Sequence, residues 1–488
     1  MNESCDPVLV VGATGYIGRR LVPALVAAGH HVRCLARNPS KLDAEPWRAE
    51  VEVVTGDLLE PDSLPAAFAG IATGYYLVHF IGTTREWEQR DRAAAAAFRD
   101  AAAEAGVRQI IYLGGLGQDA PDALSPHLAS RHEVGRVLAE GPVPVSELRA
   151  AVIIGSGSAS FEMLRHLVEV LPVMITPRWV RTQVEPIAVG DVLHYLVGVL
   201  GTPEACGRVL EIGGREVVTY RGMMDLYGEV AGLRRRRTVS VPVLSPRLSS
   251  LWIGLVTPVP PRLARPLVDS LVNEVVVHDR SIDAIVPLEA IGVRDAIAAA
   301  LRRVGDLEVT GSGDRSPADP IPSDPQWSGG TILADERAVE SRASPAALYR
   351  EVCTLGGARG WLVGNLLWMV RGAIDRLVGG PGLRRGRRHP TELAVGDEVD
   401  CWRVETLAPG RLVRLRAEMR LPGDAWLEWE IVPTGGRARL VQRARFRPRG
   451  LLGRAYWYAV APFHALVFGR LARRLAADAE AHPDDRDV

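Results

Sequence analysis

Residues 8–18 read VLVVGATGYIG. Four apolar residues, three of them valine, suit a buried strand, and Gly12, Gly15 and Gly18 follow in a G-x-x-G-x-x-G array. A turn without side chains lets the backbone approach a pyrophosphate, whose charge is met by the free N–H groups of a helix that starts there. The array predicts a dinucleotide cradle built from Gly12, Thr14, Gly15, Tyr16, Ile17 and Gly18. A glycine triplet alone is a weak signal, and a purely structural turn is the competing reading.

Outward from this stretch, short apolar runs alternate with helical ones up to about residue 200: RRLVPALVAAG, HVRCLAR, VEVVTGD, GYYLVHFIG, AAAAAFRDAAAEAG and QIIYLGG. That order predicts a parallel sheet with helices on both faces, an α/β doubly wound fold of the Rossmann type. Pro23 sits badly, inside the first helix, where it costs roughly 3 kcal/mol unless the turn kinks or shifts. The second strand ends without the acidic residue that would bind the ribose 2′-hydroxyl of NAD. It offers Arg37, with Lys41 nearby, and a guanidinium matches a 2′-phosphate. NADP(H) is therefore favoured over NAD(H); the plainer alternative is that Arg37 is an exposed loop cation.

The chain has 488 residues, too many for one ordinary core, and is 47% hydrophobic and 24% charged, which places it among globular proteins. Its 58 basic and 58 acidic residues leave no net charge, hence no overall field to recruit nucleic acid. The local basic runs GLRRRRTVSV and GLRRGRRHP read first as solvated faces or ion-pair partners. Cys5, Cys34, Cys206, Cys353 and Cys401 show no C-x-x-C spacing, which argues for a reducing cytoplasm without structural zinc or disulfides. His389, His464 and His482 show no metal-ligand spacing. MNESCDP lacks the marks of a secretory signal, while LSSLWIGLVTPVP and AYWYAVAPFHALVFG are too short or Pro-interrupted to span a bilayer. Peripheral membrane contact stays open.

VTGSGDRSPADPIPSDPQ, residues 309–326, concentrates Gly, Ser, Pro and Asp and marks a linker. The expected division is a first domain over 1–304, whose substrate-side lobe covers about 200–304, a linker over 305–328, and a second domain over 329–488. In the second, Val413, Leu415, Ala417 and Met419 alternate with Arg414, Arg416, Glu418 and Arg420, a strand with one wet face. A TGG turn separates the next two strands, and Leu440, Gln442, Ala444 and Phe446 share a face. ALVFGRLARRLAADAEA has helical spacing. An antiparallel sheet wrapped on a C-terminal helix is expected.

GATGYIG, LARNPSK, TGDLLEPDSL, YYLVHFIG and EPIAVGDV resemble the atypical short-chain dehydrogenase/reductase superfamily, in its NmrA-like and extended branches, over roughly residues 7–300. The resemblance implies an NAD(P)-binding protein in which Asp57 and Leu58 contact the adenine and the loop around His79 and Phe80 lies along the cofactor ribose. LSPHLASRHEVG, LRAAVIIGSGSASFEMLRHL and PRWVRTQVEPIA are similar to bacterial two-domain proteins of this group. Their C-terminal domain is START/polyketide-cyclase-like, a helix gripped by a sheet. That implies a cavity for an apolar molecule, which Trp361, Leu366, Trp368 and Gln442 could line; an aromatic core without a ligand is the plainer alternative.

Departures from the family bear on catalysis. Gly114 and Gly115 stand where its catalytic Ser would follow the fifth strand, and HLASR, residues 127–131, places His127 for Tyr and Arg131 for Lys in Y-x-x-S-K. In the parent mechanism the Lys binds the nicotinamide ribose and lowers the Tyr pKa, and the phenol moves a proton beside the hydride. Arg131 keeps the capacity to bind ribose. His127 could supply a proton near neutral pH, or be a helix-surface or packing histidine; both readings stay open. GSGSASFEMLRHL lacks the spacing of a hydrolase nucleophile elbow, so Ser158, Ser160 and Glu162 read as a helix N-terminus, and the resemblance sets Ser158 and Phe161 in the substrate pocket. Asp191 is expected to cap the helix after it. The whole reads as an NADP(H)-binding oxidoreductase acting on an apolar carbonyl compound. A non-catalytic NADP(H) sensor and a lipid or quinone carrier are the alternatives.

Overall fold

The computed structural model describes residues 7–43, 45–81, 86–117, 124–176, 178–240, 261–302, 324, 332–377, 379–382, 387–434 and 437–482. They divide into two compact units, 1–330 and 331–488. Cys5, LSSLWIGLVTPVP and all of the expected linker except Asp324 lie outside the described residues.

In the first unit seven strands form one sheet: β1 (Val8–Val11), β2 (Val32–Ala36), β3 (Glu52–Thr55), β4 (Thr73–Tyr76), β5 (Gln109–Gly115), β6 (Val145–Ala150) and β7 (Arg208–Ile212). Their order is β7-β6-β5-β4-β1-β2-β3, with every neighbouring pair parallel. Helical crossovers cover both faces of such a sheet, which is why β1 and β4 are buried at every residue, with β1 a continuous apolar run and β4 reading TGYY. Strand order reverses between β1 and β4. The crevice outside their carboxyl ends is where open α/β sheets take ligands.

Helix α1 (Gly18–Ala27) begins at the third glycine and continues through Pro23, with Leu21, Val22 and Leu25 inward. α2 (Trp87–Glu104) buries Asp91, Ala94, Ala95, Phe98 and Ala102. α3 (Pro126–Ala139) is capped by Ser125, whose hydroxyl accepts the Leu128 N–H. Beyond β6 follow α4 (Ala159–Val170), α5 (Val189–Gly198), α6 (Tyr220–Val230), α7 (Pro261–Ser270) and α8 (Val293–Leu301). Phe161, Met223, Tyr227, Val268 and Ile297 meet there in a core of their own. Asp191 does not cap α5. Ala188 is the N-cap, and the Asp191 carboxylate, already inside the first turn, is drawn away to accept the Ile291 N–H at 3.2 Å.

The second unit opens with β8 (Leu333–Ser341), α9 (Pro345–Cys353) and α10 (Asn365–Leu377). It continues through β9 (Glu398–Val399), β10 (Trp402–Ala408), β11 (Leu412–Ala417), β12 (Gly423–Thr434) and β13 (Arg437–Pro448) to α11 (Gly450–Ala481). The sheet is antiparallel in the order β8-β13-β12-β11-β10-β9, so the first strand pairs with the last. Val413 and Leu415 are buried on β11 as the alternation predicts, and Leu440, Gln442, Ala444 and Phe446 are buried together on β13. β12 and β13 pair out to Thr434 and Arg437, with Gly435 and Gly436 outside the described residues. α11 starts at Gly450, well before the ALVFG stretch. Its first turns are apolar nearly all round, so they lack the alternation from which a helix is recognised.

Candidate dinucleotide-binding site

An open cleft with about 200 Å³ of free volume lies at the carboxyl ends of β1, β2 and β4, lined by Gly12, Thr14, Gly15, Arg37, Asp57, Leu58, Val78 and His79 among others. Gly12 has φ +100°, and a Cβ there would lie 2.8 Å from the Leu77 carbonyl oxygen on the chain leaving β4. Only glycine takes that conformation so close to a neighbouring backbone. The Gly15 N–H closes the turn on the Gly12 carbonyl at 2.9 Å. At Gly18 a Cβ would run into the Gly12 carbonyl oxygen, so the third glycine lets α1 approach the turn. Thus Gly12, Thr14 and Gly15 line the cleft. Ile17 packs on the core behind the sheet and the Tyr16 ring lies 4.3 Å from the Arg20 guanidinium. The Tyr16 hydroxyl is itself buried, which pushes its pKa upward.

Arg37 stands exposed where β2 ends and, among the described residues, forms no ion pair. Lys41, on the short turn Pro39–Leu42, is exposed and does not line the cleft. Asp57 spends one carboxylate oxygen on the Leu59 N–H at 3.1 Å and donates its own N–H to Ser63 at 2.9 Å. These bonds fix the wall that Leu58 completes.

At the other end of the cleft one carboxylate organises the site. Asp91 lies 2.9 Å from the Arg131 guanidinium, accepts the Phe80 N–H at 2.9 Å and accepts the Ser130 hydroxyl at 3.2 Å. Arg131 also donates to the Val78 carbonyl at 3.4 Å. α2, α3 and the loop after β4 are tied together beneath His79. Arg131, expected at the ribose, is therefore first engaged by the protein, though its buried Nε has no hydrogen-bond partner among the described residues. Asp91 escaped the sequence reading. Its signal was an acid on the same face as Ala94, Ala95, Phe98 and Ala102, where an unpaired charge is not tolerated.

His127 is half-buried with Nδ1 3.1 Å from the Ser270 hydroxyl of α7. Burial, then the charges of Arg131 and His79, push its pKa down to about 3. It is neutral at pH 7, so the imidazolium that would give up a proton near neutrality is not populated. At Gly115 a Cβ would lie 2.8 Å from the Leu128 side-chain end and 3.5 Å from Arg131, so a larger residue there would have to move Leu128. Ser158 donates its hydroxyl to the Ile153 carbonyl at 2.8 Å, and Phe161 is 2% exposed within the core shared with Tyr227. Both are engaged in structure.

In the second unit Gln442 accepts the Trp429 indole N–H at 3.0 Å. A cavity bordered by Trp368, Trp402, Phe446, Trp457 and Phe468, and not by Gln442, has about 20 Å³ of free volume. That holds about one water, far less than a sterol or polyketide. Aromatic stacking fills the space, with Trp361 on Trp368 at 4.9 Å and Phe446 on Trp457 at 5.9 Å, while Leu366 is exposed.

Residues 12–150 match the family profile described as NAD(P)H-binding. The matched stretch runs from the glycine turn to the end of β6 in the parallel sheet. Residues 327–471 match a family described as protein of unknown function (DUF2867). Over 254 residues the chain is 24% identical to photosystem II assembly factor Ycf39 of Trieres chinensis, covering 51% of this chain and 76% of that protein. Over 232 residues it is 29% identical to a (4-alkanoyl-5-oxo-2,5-dihydrofuran-3-yl)methyl phosphate reductase of Streptomyces griseus, covering 46% and 74%. A 115-residue stretch is 35% identical to a 3 beta-hydroxysteroid dehydrogenase/Delta 5-->4-isomerase of Mycobacterium tuberculosis, covering 22% of this chain and 30% of that protein. The solved triphenylmethane reductase of Citrobacter sp., complexed with NADP(H), is 19% identical with a TM-score of 0.49, covering 60% of this chain and 100% of that one. Among the described residues no helix is long and apolar enough to cross a membrane, and Cys34, Cys206, Cys353 and Cys401 are unpaired.

Proposed function

We propose that the protein is an NADP(H)-dependent oxidoreductase of the atypical short-chain dehydrogenase/reductase type, reducing an apolar carbonyl compound in a reducing cytoplasm. The observation that carries this reading is the cleft itself. A side-chain-free turn at Gly12 and Gly15 lies beside the exposed Arg37 at the end of β2, the position from which a cation meets a 2′-phosphate. The residues fit the group: Gly12, Thr14 and Gly15 would hold the pyrophosphate, Asp57 and Leu58 would contact the adenine, and His79 and Arg131 would serve the ribose. When bound, the reduced dinucleotide supplies a hydride.

An alcohol product also requires one proton. Neutral His127 is a poor source, so water supplies it, and Arg131 and Asp91 act by holding the loop over residues 78–80 in place. The reductase name of the Streptomyces relative supports the reaction type. For the second unit, the pairing of first strand with last and the long C-terminal helix support a helix-grip domain beyond a linker over 305–328. Its small cavity favours a scaffold over a carrier.

Turnover tests the reading. NADPH oxidation is followed against a panel of apolar ketones, aldehydes, enones and quinones, with the reduced product identified by mass spectrometry. A stoichiometric reduced product is expected. If NADPH binds and no compound is reduced, a non-catalytic NADP(H) sensor replaces the reductase. That second reading is favoured by the low His127 pKa and by the assembly-factor name of the Trieres relative.

A further inference from the structure

The geometry points to docking of the second unit on an anionic membrane surface, through the outward faces of α10 and α11. α10 turns Trp368, Gly372 and Asp375 inward. Opposite them stand Leu366, Met369, Val370, Ile374 and Leu377, between 43% and 87% exposed. Their spacing keeps them on one stripe of the helix. The first half of α11 repeats the arrangement: Trp457, His464 and Phe468 are buried, whereas Leu451, Leu452, Tyr458, Phe463 and Leu466 are 47% to 73% exposed. The two helices are neighbours, since the Arg371 guanidinium lies 5.8 Å from the Trp368 ring and 5.9 Å from the Tyr456 ring. Ten large apolar side chains on adjoining helices are more than scattered surface hydrophobes, and patches of that kind mark interaction sites.

Charge identifies the occupant. Residues 361–390 contain six arginines and one acid, Asp375; α11 (Gly450–Ala481) contains four arginines and two acids, Asp478 and Glu480, both in its last turn. The chain as a whole carries 58 of each sign, so the excess is local to α10, its flank and the part of α11 before Asp478; Arg388 pairs with Asp397 and Arg474 with Asp478, while Arg376, Arg470 and Arg473 stand exposed. Asp375 does not offset it at the surface, being buried and accepting the N–H groups of Gly382 and Arg420. An apolar helical face rimmed with arginine lies in a lipid interface, with the apolar residues at the acyl boundary and the guanidinium groups among anionic headgroups. A second copy of the chain would instead bring two arginine-rich rims together. Neither helix is long and apolar enough to cross a membrane, so the unit lies on the bilayer.

The test is co-sedimentation of the full chain with vesicles of phosphatidylcholine alone and of phosphatidylcholine with phosphatidylglycerol. Binding to the anionic vesicles and little to the neutral ones is expected, weakened by added salt. Ile374→Asp and Phe463→Asp should each lower the partition coefficient by about tenfold or more. Both positions are over half exposed, so melting temperature and NADPH affinity should stay at wild-type values and report an intact fold. Absence of binding to any vesicle, or binding that neither substitution changes, overturns the proposal. A lipid-free dimer that the same substitutions dissociate, without vesicle binding, overturns it in favour of a second copy.

Discussion

Replacing Asp91 by Ala removes the acceptor shared by Arg131 at 2.9 Å, Phe80 N–H at 2.9 Å and Ser130 at 3.2 Å. The side chains of Arg131 and Asp91 are 7% and 1% exposed, so solvent screens the pair weakly. An arginine cannot neutralise itself by losing a proton. Breaking a buried pair on one side costs about 3–5 kcal/mol, most of it from the charge left behind. Asp91→Asn keeps an acceptor and loses the charge, and should cost roughly 1.5–3 kcal/mol. Asp91→Leu with Arg131→Met removes both charges and should recover most of the loss. Urea unfolding of the full chain at pH 7 measures this, and of the transitions belonging to the two units only one should move. A loss under about 1 kcal/mol for Asp91→Ala, or a double variant no better than the single one, would refute the reasoning.

Three further outcomes are expected. The His127 pKa of about 3 lies below its ordinary 6.5, so as pH falls the unfolded chain takes the proton first; stability rises with pH between those values and is complete above them. At pH 5 about 2 kcal/mol should be lost on this account, and His127→Gln should flatten that part of the urea-midpoint profile; coincident wild-type and variant profiles would contradict it. Gln442→Leu strands the buried Trp429 N–H and should cost about 1–3 kcal/mol, read as a shift in the second unit's transition; no shift would mean the indole finds another acceptor. Trypsin should cut first at Arg315, before Asp324, whose carboxylate pairs with Arg20 at 2.8 Å, and should leave a larger fragment that retains NADPH. First cleavage outside residues 305–328 would argue against the linker.

The sheet was legible because a parallel strand buried on both faces shows as an apolar run, and because glycine is the only residue that fits at Gly12 and Gly18. Of the cleft, Gly12, Thr14 and Gly15 were legible from the glycine array and Arg37 from the end of the second strand, whereas Asp57, Leu58 and His79 came from the family resemblance; all of them line it. What escaped depends on long-range partners. His127 stays open in the sequence between an acid/base and a packing histidine, because Ser270, which α7 brings to it from 143 positions away, and the nearby Arg131 are not visible there. Arg131 reads as a ribose ligand, and its pairing with Asp91, 40 positions earlier in an alanine-rich helix, is not visible in the sequence. Gln442 reads as a polar lining of a cavity, and is instead the partner of Trp429 across a strand pair.

The central claim is a cleft that takes NADP(H) and selects it through Arg37. Titration calorimetry of NADPH and NADH against the full chain and against Arg37→Asp tests it most directly. A charge-assisted contact of about 1.5–3 kcal/mol predicts that NADPH binds the wild type roughly tenfold to a hundredfold more tightly than NADH, and that Arg37→Asp abolishes or reverses the preference. Equal affinity of the wild type for the two dinucleotides, or binding of neither, would contradict it.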